Sequence, residues 1–193
     1  GSQPNEDGYY FQSSELCSYC HGNSQYAYDP NTGGADRYFT SEHEPHFQWM
    51  GNMMAQSARD PIFRAALTIA EQDVPGAGQF CWRCHSPTAW LEGRSVPYDG
   101  SNMTDEDLKG VQCDVCHRMV NPLSEEGQSL SDRPVPGIGN GMYVISDDTA
   151  KRGPRQDSYA NHTWLYSEFH RSSSLCGVCH DVSNPLLAQN PAT

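Results

Sequence analysis

Cys113-Asp114-Val115-Cys116-His117 has three counterparts in this chain: Cys17-Ser18-Tyr19-Cys20-His21, Cys81-Trp82-Arg83-Cys84-His85 and Cys176-Gly177-Val178-Cys179-His180. Together they use all eight cysteines of the 193 residues. Cys-x-x-Cys-His is the attachment signal for c-type haem. Its two thiols add across the porphyrin vinyl groups, and the next residue offers an imidazole nitrogen to the iron. Four copies with no cysteine left over predict four haem c groups. His21, His85, His117 and His180 are then the proximal iron ligands.

Other uses of paired cysteines fit less well. Zinc ribbons separate their Cys-x-x-Cys pairs by about 15–20 residues. The shortest gap here, Cys84 to Cys113, is longer, and zinc leaves the histidine after every pair unexplained. Thioredoxin-type motifs need a βαβ pattern, which is absent. A disulfide across two residues closes too small a loop to stabilise much.

The chain has eight histidines. Those outside the motifs, His43, His46, His162 and His170, number one per predicted iron. They are the candidate distal ligands of four bis-histidine sites. Met50, Met53, Met54, Met103, Met119 and Met142 are rival sixth ligands that would raise the potential, although methionine in such a chain more often packs. Ser41 and Glu44 form a capping box that predicts a helix through about Ala55, with His43 and His46 on one face. A second helix is predicted from about Ser158 to Ser172. Its face carries His162, Leu165, Tyr166, Phe169 and His170. The two histidines would lie ~12 Å apart along its axis and so reach different haems. His170 precedes Cys176 too closely to reach round that motif's own haem. The pairing of distal histidines with motifs stays open.

An apolar content of 36% is low for a globular domain. Porphyrin would supply the missing buried surface. The expected fold is therefore mainly irregular, with short α-helices and little β structure, in a single domain over residues 1–193. A net charge of −12 argues against nucleic acid and anionic lipid. Arg37, Arg64, Arg83, Arg94, Arg118 and Arg171 are candidate partners for haem propionates. No run is long enough to span a membrane. No signal peptide is present, yet c-type haem is attached after export, so an exported precursor is expected.

Further along, Asp60-Pro61 predicts a helix that ends near Asp73, with Ile62, Phe63, Ala66, Leu67 and Ala70 as its apolar face. Residues 87–102 read as loop. Thr104 with Asp107 caps a short helix leading to the third motif. Residues 121–141, dense in Pro, Gly and Ser, read as an irregular surface excursion. The tail 181–193 reads as extended, able to lie across another subunit. Asn102 and Asn161 match the glycosylation pattern weakly. Asp99, Asp105, Asp107, Asp147 and Asp148 fit no calcium loop.

Four motifs, four spare histidines and an acidic chain resemble the multihaem c-type cytochromes. The stretches 46–63 (HFQWMGNMMAQSARDPIF) and 111–119 (VQCDVCHRM) resemble segments of the cytochrome c-554-like branch. Size and haem count are most similar to the extracellular tetrahaem cytochromes that polymerise into filaments, the OmcE type. That resemblance implies a stacked haem chain and a head-to-tail homopolymer in which one of His43, His46, His162 or His170 is donated to a neighbouring subunit's haem.

The expected function is electron transfer rather than catalysis, with redox proteins or extracellular acceptors as partners. The expected location is an extracellular filament, with the periplasm or cell surface as the other places. The alternative is a soluble periplasmic shuttle of the cytochrome c-554 kind. A less favoured one is a multihaem oxidoreductase with one open iron.

Overall fold

The structure is a computed structural model and describes residues 1–5, 10–22, 28–29, 34–35 and 44–183. His43, Ser41, Arg37 and the tail from 184 onward lie outside the described residues. The described chain is mostly irregular, carried by short helices and three two-stranded pairings.

Each Cys-x-x-Cys-His pentapeptide forms its own short helix. These are α1 (Ser14–His21), α5 (Gly78–His85), α7 (Cys113–Arg118) and α9 (Ser174–His180). Helical periodicity places the first cysteine, the second and the histidine (i, i+3, i+4) on one face. The residues between the thiols fall on the other face. In three motifs that face enters the core: Trp82, Val115 and Val178 are fully or almost fully buried, and so is Asp114. In the first motif Tyr19 stays exposed.

The helix predicted after Asp60 is α4 (Pro61–Asp73). Its Asp60 cap accepts from the Ile62 amide, and Pro61 stands at the first turn. Of the expected apolar face, only Phe63 and Leu67 are buried, while Ile62 is 79% exposed.

The helix expected from Ser41 to Ala55 is two pieces, α2 (Pro45–Met50) and α3 (Met53–Gln56). Glu44 is itself the N-cap of α2 and makes no side-chain cap bond, so the capping-box reading is corrected. The chain breaks at Gly51, and the Asn52 side chain restarts it by accepting from the Ala55 amide.

The helix expected over 158–172 does not form. Trp164–Tyr166 is a strand, β6, paired in parallel with β5 (Lys151–Gly153), and Glu168–Arg171 is a single 3₁₀ turn. Bulky aromatic residues favour a pleated strand once a partner is available, and β5 supplies it. The two other pairs are β1 (Tyr28–Asp29) with β2 (Gly34–Ala35), and β3 (Met119–Val120) with β4 (Val144–Ile145).

Residues 87–102 are not all loop. Pro87–Leu91 forms α6, with every residue buried. The Thr104/Asp107 box is present in full: the Asp107 amide donates to Thr104 Oγ1, and the Thr104 amide donates to Asp107 Oδ2. It leads only into a 3₁₀ turn, Asp107–Lys109, whose N-cap is Glu106 without a side-chain cap bond and which Gly110 ends at φ 69°. The segment 121–141 holds α8 (Glu125–Leu130) and buries Gly127 and Val135, so it is more ordered than its composition implied.

The main core joins α4, α5, α6, α7 and α9 through Phe63, Leu67, Trp82, Trp90, Leu91, Val115, Tyr143 and Val178. The segment 1–5 runs along it. The Ser2 amide donates to the Tyr143 carbonyl at 2.8 Å, and the Asn5 amide donates to that of Leu91 at 2.8 Å.

Candidate haem-binding centres

The four motif helices are brought together out of sequence order. Cys17 and Cys113 lie near enough to act on each other, which brings the first motif beside the third. Cys84 and Cys179 do the same for the second and fourth. Cys176 also acts on Cys116, so the fourth motif neighbours the third as well. None of the eight cysteines is in a disulfide, and burial pushes Cys81 and Cys116 up, Cys116 to about 11.

Two motif histidines face a second imidazole. The His21 and His162 rings lie 6.4 Å apart at 45°. The His117 and His170 rings lie 6.1 Å apart at 18°. Two imidazoles sharing one metal would stand at about this spacing: two bonds of ~2 Å plus roughly 1 Å from each nitrogen to its ring centre give ~6 Å. Two imidazoles in direct contact would approach more closely.

The orientation of the rings suits ligation. His85 Nδ1 lies 3.0 Å from the Ser57 carbonyl oxygen, and His117 Nδ1 lies 2.7 Å from that of Arg152. His162 Nδ1 lies 3.1 Å from the Thr163 carbonyl. An Nδ1–H donated to a carbonyl fixes the tautomer and leaves Nε2 as a more basic ligand. Burial, then the charges of His162 and His117, lowers the pKa of His21. Burial is also the largest cause of the lowered value at His170. Both effects favour the neutral, ligating imidazole. In His170, Nε2 is 2.9 Å from the Cys116 carbonyl, and Nδ1 is buried with no hydrogen-bond partner. One nitrogen of this ring is therefore uncommitted.

His46 is 8% exposed, with Nε2 buried and without a hydrogen-bond partner. It packs at Gly22 beside α1 and beside Trp49. Among the described residues it faces no motif histidine across such a spacing, nor do His85 and His180. His85 instead stacks on Phe63. Met119 belongs to the core, whereas Met50, Met53 and Met54 are exposed.

The candidate propionate partners divide in two. Arg94 is spent on Asp107 and Glu92. Arg118 bonds the Ser146 and Tyr10 carbonyls. Arg64 Nη1 and Arg83 Nε are buried with no hydrogen-bond partner, each guanidinium lying over a tryptophan: Arg64 on Trp82 at 5.3 Å and Arg83 on Trp90 at 4.8 Å. A buried donor without an acceptor is costly, and an anionic group would satisfy it. Cysteines in helical i, i+3 pairs outside any disulfide, neighbouring imidazoles and orphaned guanidinium donors together fit c-type haem.

The glycosylation pattern at Asn102 meets a competing use, because its amide donates to the Val96 carbonyl and Thr104 is held by Asp107. Asp107 and Asp148 are paired with arginines. No group of three or more His, Cys, Asp or Glu side chains is placed to hold a bare metal ion among the described residues. None of their helices is long and apolar enough to cross a membrane. The sequence pattern gave no signal for the carbonyls of Ser57 and Arg152, since backbone acceptors are chosen by tertiary packing.

No family model matches this chain, and no curated protein matches it. It shows a likeness to the crystal structure of a penta-haem cytochrome c552 from Thermochromatium tepidum. The TM-score is 0.49 at 22% identity, over 90% of this chain and 47% of that one. The chain thus spans about half the length of that protein.

Proposed function

We propose that this chain is a multihaem c-type cytochrome that carries electrons through haems held by its four Cys-x-x-Cys-His helices. The observation that carries the reading is the pair of imidazole couples, His21 with His162 and His117 with His170, at 6.4 and 6.1 Å. Bound haem supplies one-electron redox chemistry. The protein's part is to attach, orient and insulate. The thiols anchor, the carbonyls of Ser57, Arg152 and Thr163 aim the imidazoles, and the core around Trp82, Val115 and Val178 keeps water from the rear of the helices. An iron held by two imidazoles would have no position left for a substrate, which at the His21 and His117 centres supports a conductor rather than an enzyme.

The finer reading is of four haem c groups in a subunit of an extracellular filament, exported and joined head to tail, with one distal histidine given to the neighbour. It is supported by four motifs and four further histidines within 193 residues; head-to-tail contact would then build an open filament.

Denaturing mass spectrometry of the purified protein tests the cofactor, with four thioether-bound porphyrins expected; a colourless, porphyrin-free chain sinks the whole reading. Negative-stain imaging tests assembly. Filaments support the polymer, and discrete particles support the periplasmic shuttle. A high-spin ferric signal in the native oxidised protein would favour an open iron and an oxidoreductase.

A further inference from the structure

We infer that Phe63 is a positioning residue for the imidazole of His85 and, with the Ser57 carbonyl, fixes the ligand plane at the second motif. The inference rests on the haem reading above and concerns how one of those centres is set apart from the others.

The His85 and Phe63 rings are stacked face to face, 3.7 Å between centroids and 5° between planes. Phe63 is itself immobilised. It is 8% exposed and meets Trp82 edge-on at 5.1 Å and 80°. Trp82 is wholly buried and donates from Nε1 to the Tyr98 carbonyl at 2.8 Å. Behind Phe63, α4 is pinned by its Asp60 cap.

The in-plane direction of His85 is held separately. Nδ1 meets the Ser57 carbonyl at 3.0 Å, while Ser57 Oγ donates back to the His85 carbonyl at 2.8 Å. The residue that accepts from the ring is thereby tied to the backbone that carries it.

These two contacts do different things. A histidine torsion about Cβ–Cγ is broad. One hydrogen bond fixes where the ring points but leaves the plane free to rock about that line. A rigid phenyl ring on its face removes the rocking. His117 also has a carbonyl partner, Arg152, but the ring recorded beside it is His170 and not a phenyl. In a loaded centre the orientation of the His85 ring and the basicity of its Nε2 would tune the iron it holds. The second centre should therefore carry a spectroscopic and redox signature that depends on an aromatic side chain outside any motif.

A purely space-filling Phe63 would predict something else, and substitution separates the two. Phe63→Leu keeps an apolar side chain but removes the flat face; Phe63→Tyr keeps the face. Oxidised wild type and variants, with haem content checked by mass, are compared by electron paramagnetic resonance and potentiometric titration. Phe63→Leu is expected to displace one low-spin signal and one midpoint while the rest stay put, and Phe63→Tyr to restore both. Ser57→Ala, which removes the Oγ bond and leaves the core intact, is expected to move the same signal. Phe63→Met, also apolar and without a flat face, carries the test should Phe63→Leu fail to load. A fully loaded Phe63→Leu or Phe63→Met protein with unmoved signals and midpoints overturns the inference alone. Wild type without covalent porphyrin overturns it together with the haem reading.

Discussion

The imidazoles of His117 and His170 face one another at 6.1 Å, 18° from parallel, although one ends a motif helix and the other sits in a 3₁₀ turn beyond β6. The carbonyl of Arg152 in β5 holds His117, and β5 pairs with β6, which delivers His170. A three-residue parallel pairing therefore relates the positions of the two rings, which on the proposed reading would hold one iron.

His170→Ala should convert one iron from low to high spin and leave the remaining centres low-spin, read by electron paramagnetic resonance. His162→Ala should do the same for the centre at His21. The double variant should show two high-spin equivalents, because the two couples share no ring. If His170→Ala leaves every iron low-spin, the pairing of His117 with His170 is wrong.

Asp114, between the two thiols of the third motif, is 1% exposed. It bonds Lys151, accepts from the Gln12 amide at 2.8 Å and lies 3.8 Å from Arg118. It joins the entry to α1, helix α7 and strand β5. Removing one member of a buried ion pair typically costs about 3 kcal/mol. Asp114→Ala should lose about that much in chemical denaturation of the loaded protein. Asp114→Asn should lose less, because it keeps an acceptor for Gln12.

The elements legible in the sequence were those whose signals are local. The Asp60-Pro61 start of α4 and the Thr104/Asp107 box need only neighbouring residues, and both are found. The prevalence of short helices followed from low apolar content. The misreadings share another cause. Trp164–Tyr166 is a strand because Lys151–Gly153 lies beside it, and a helical spacing of Leu165 and Phe169 cannot reveal that. Gly51 and Asn52 divided α2 from α3 against an expectation that ignored the glycine. The order of the motif helices and the imidazole couples are tertiary facts, and no spacing between motifs encodes them. His43 lies outside the described residues.

Asp107 should govern part of the acid limb of stability. Burial pushes its carboxyl up, but the Arg94 guanidinium and the Thr104 amide and hydroxyl outweigh burial and hold it below its ordinary value of 3.8. A carboxyl depressed on folding stabilises fully above its ordinary value, and that stability is lost as pH falls through the lower folded value. Asp107→Asn should therefore melt earlier than wild type near pH 6, with the gap narrowing below pH ~4. A gap that stays constant down to pH 2 would mean that the carboxylate charge contributes nothing.

The thiol contacts make a prediction about neighbours. Cys84 lies beside Cys179, and Cys17 beside Cys113, so the second centre neighbours the fourth and the first neighbours the third. Replacing Cys176 and Cys179 together with Ser should lower the intact mass by one porphyrin. It should also shift the midpoints of two other centres, the second through Cys84 and the third through Cys116, because removing a nearby charge changes the field at its neighbours. The first centre, whose Cys17 neighbours Cys113 and not the fourth motif, should keep its midpoint and its low-spin signal. Replacing Cys17 and Cys20 instead should disturb only the third. A disturbance that followed sequence order, with loss of the fourth centre sparing the second, would refute this arrangement of the helices.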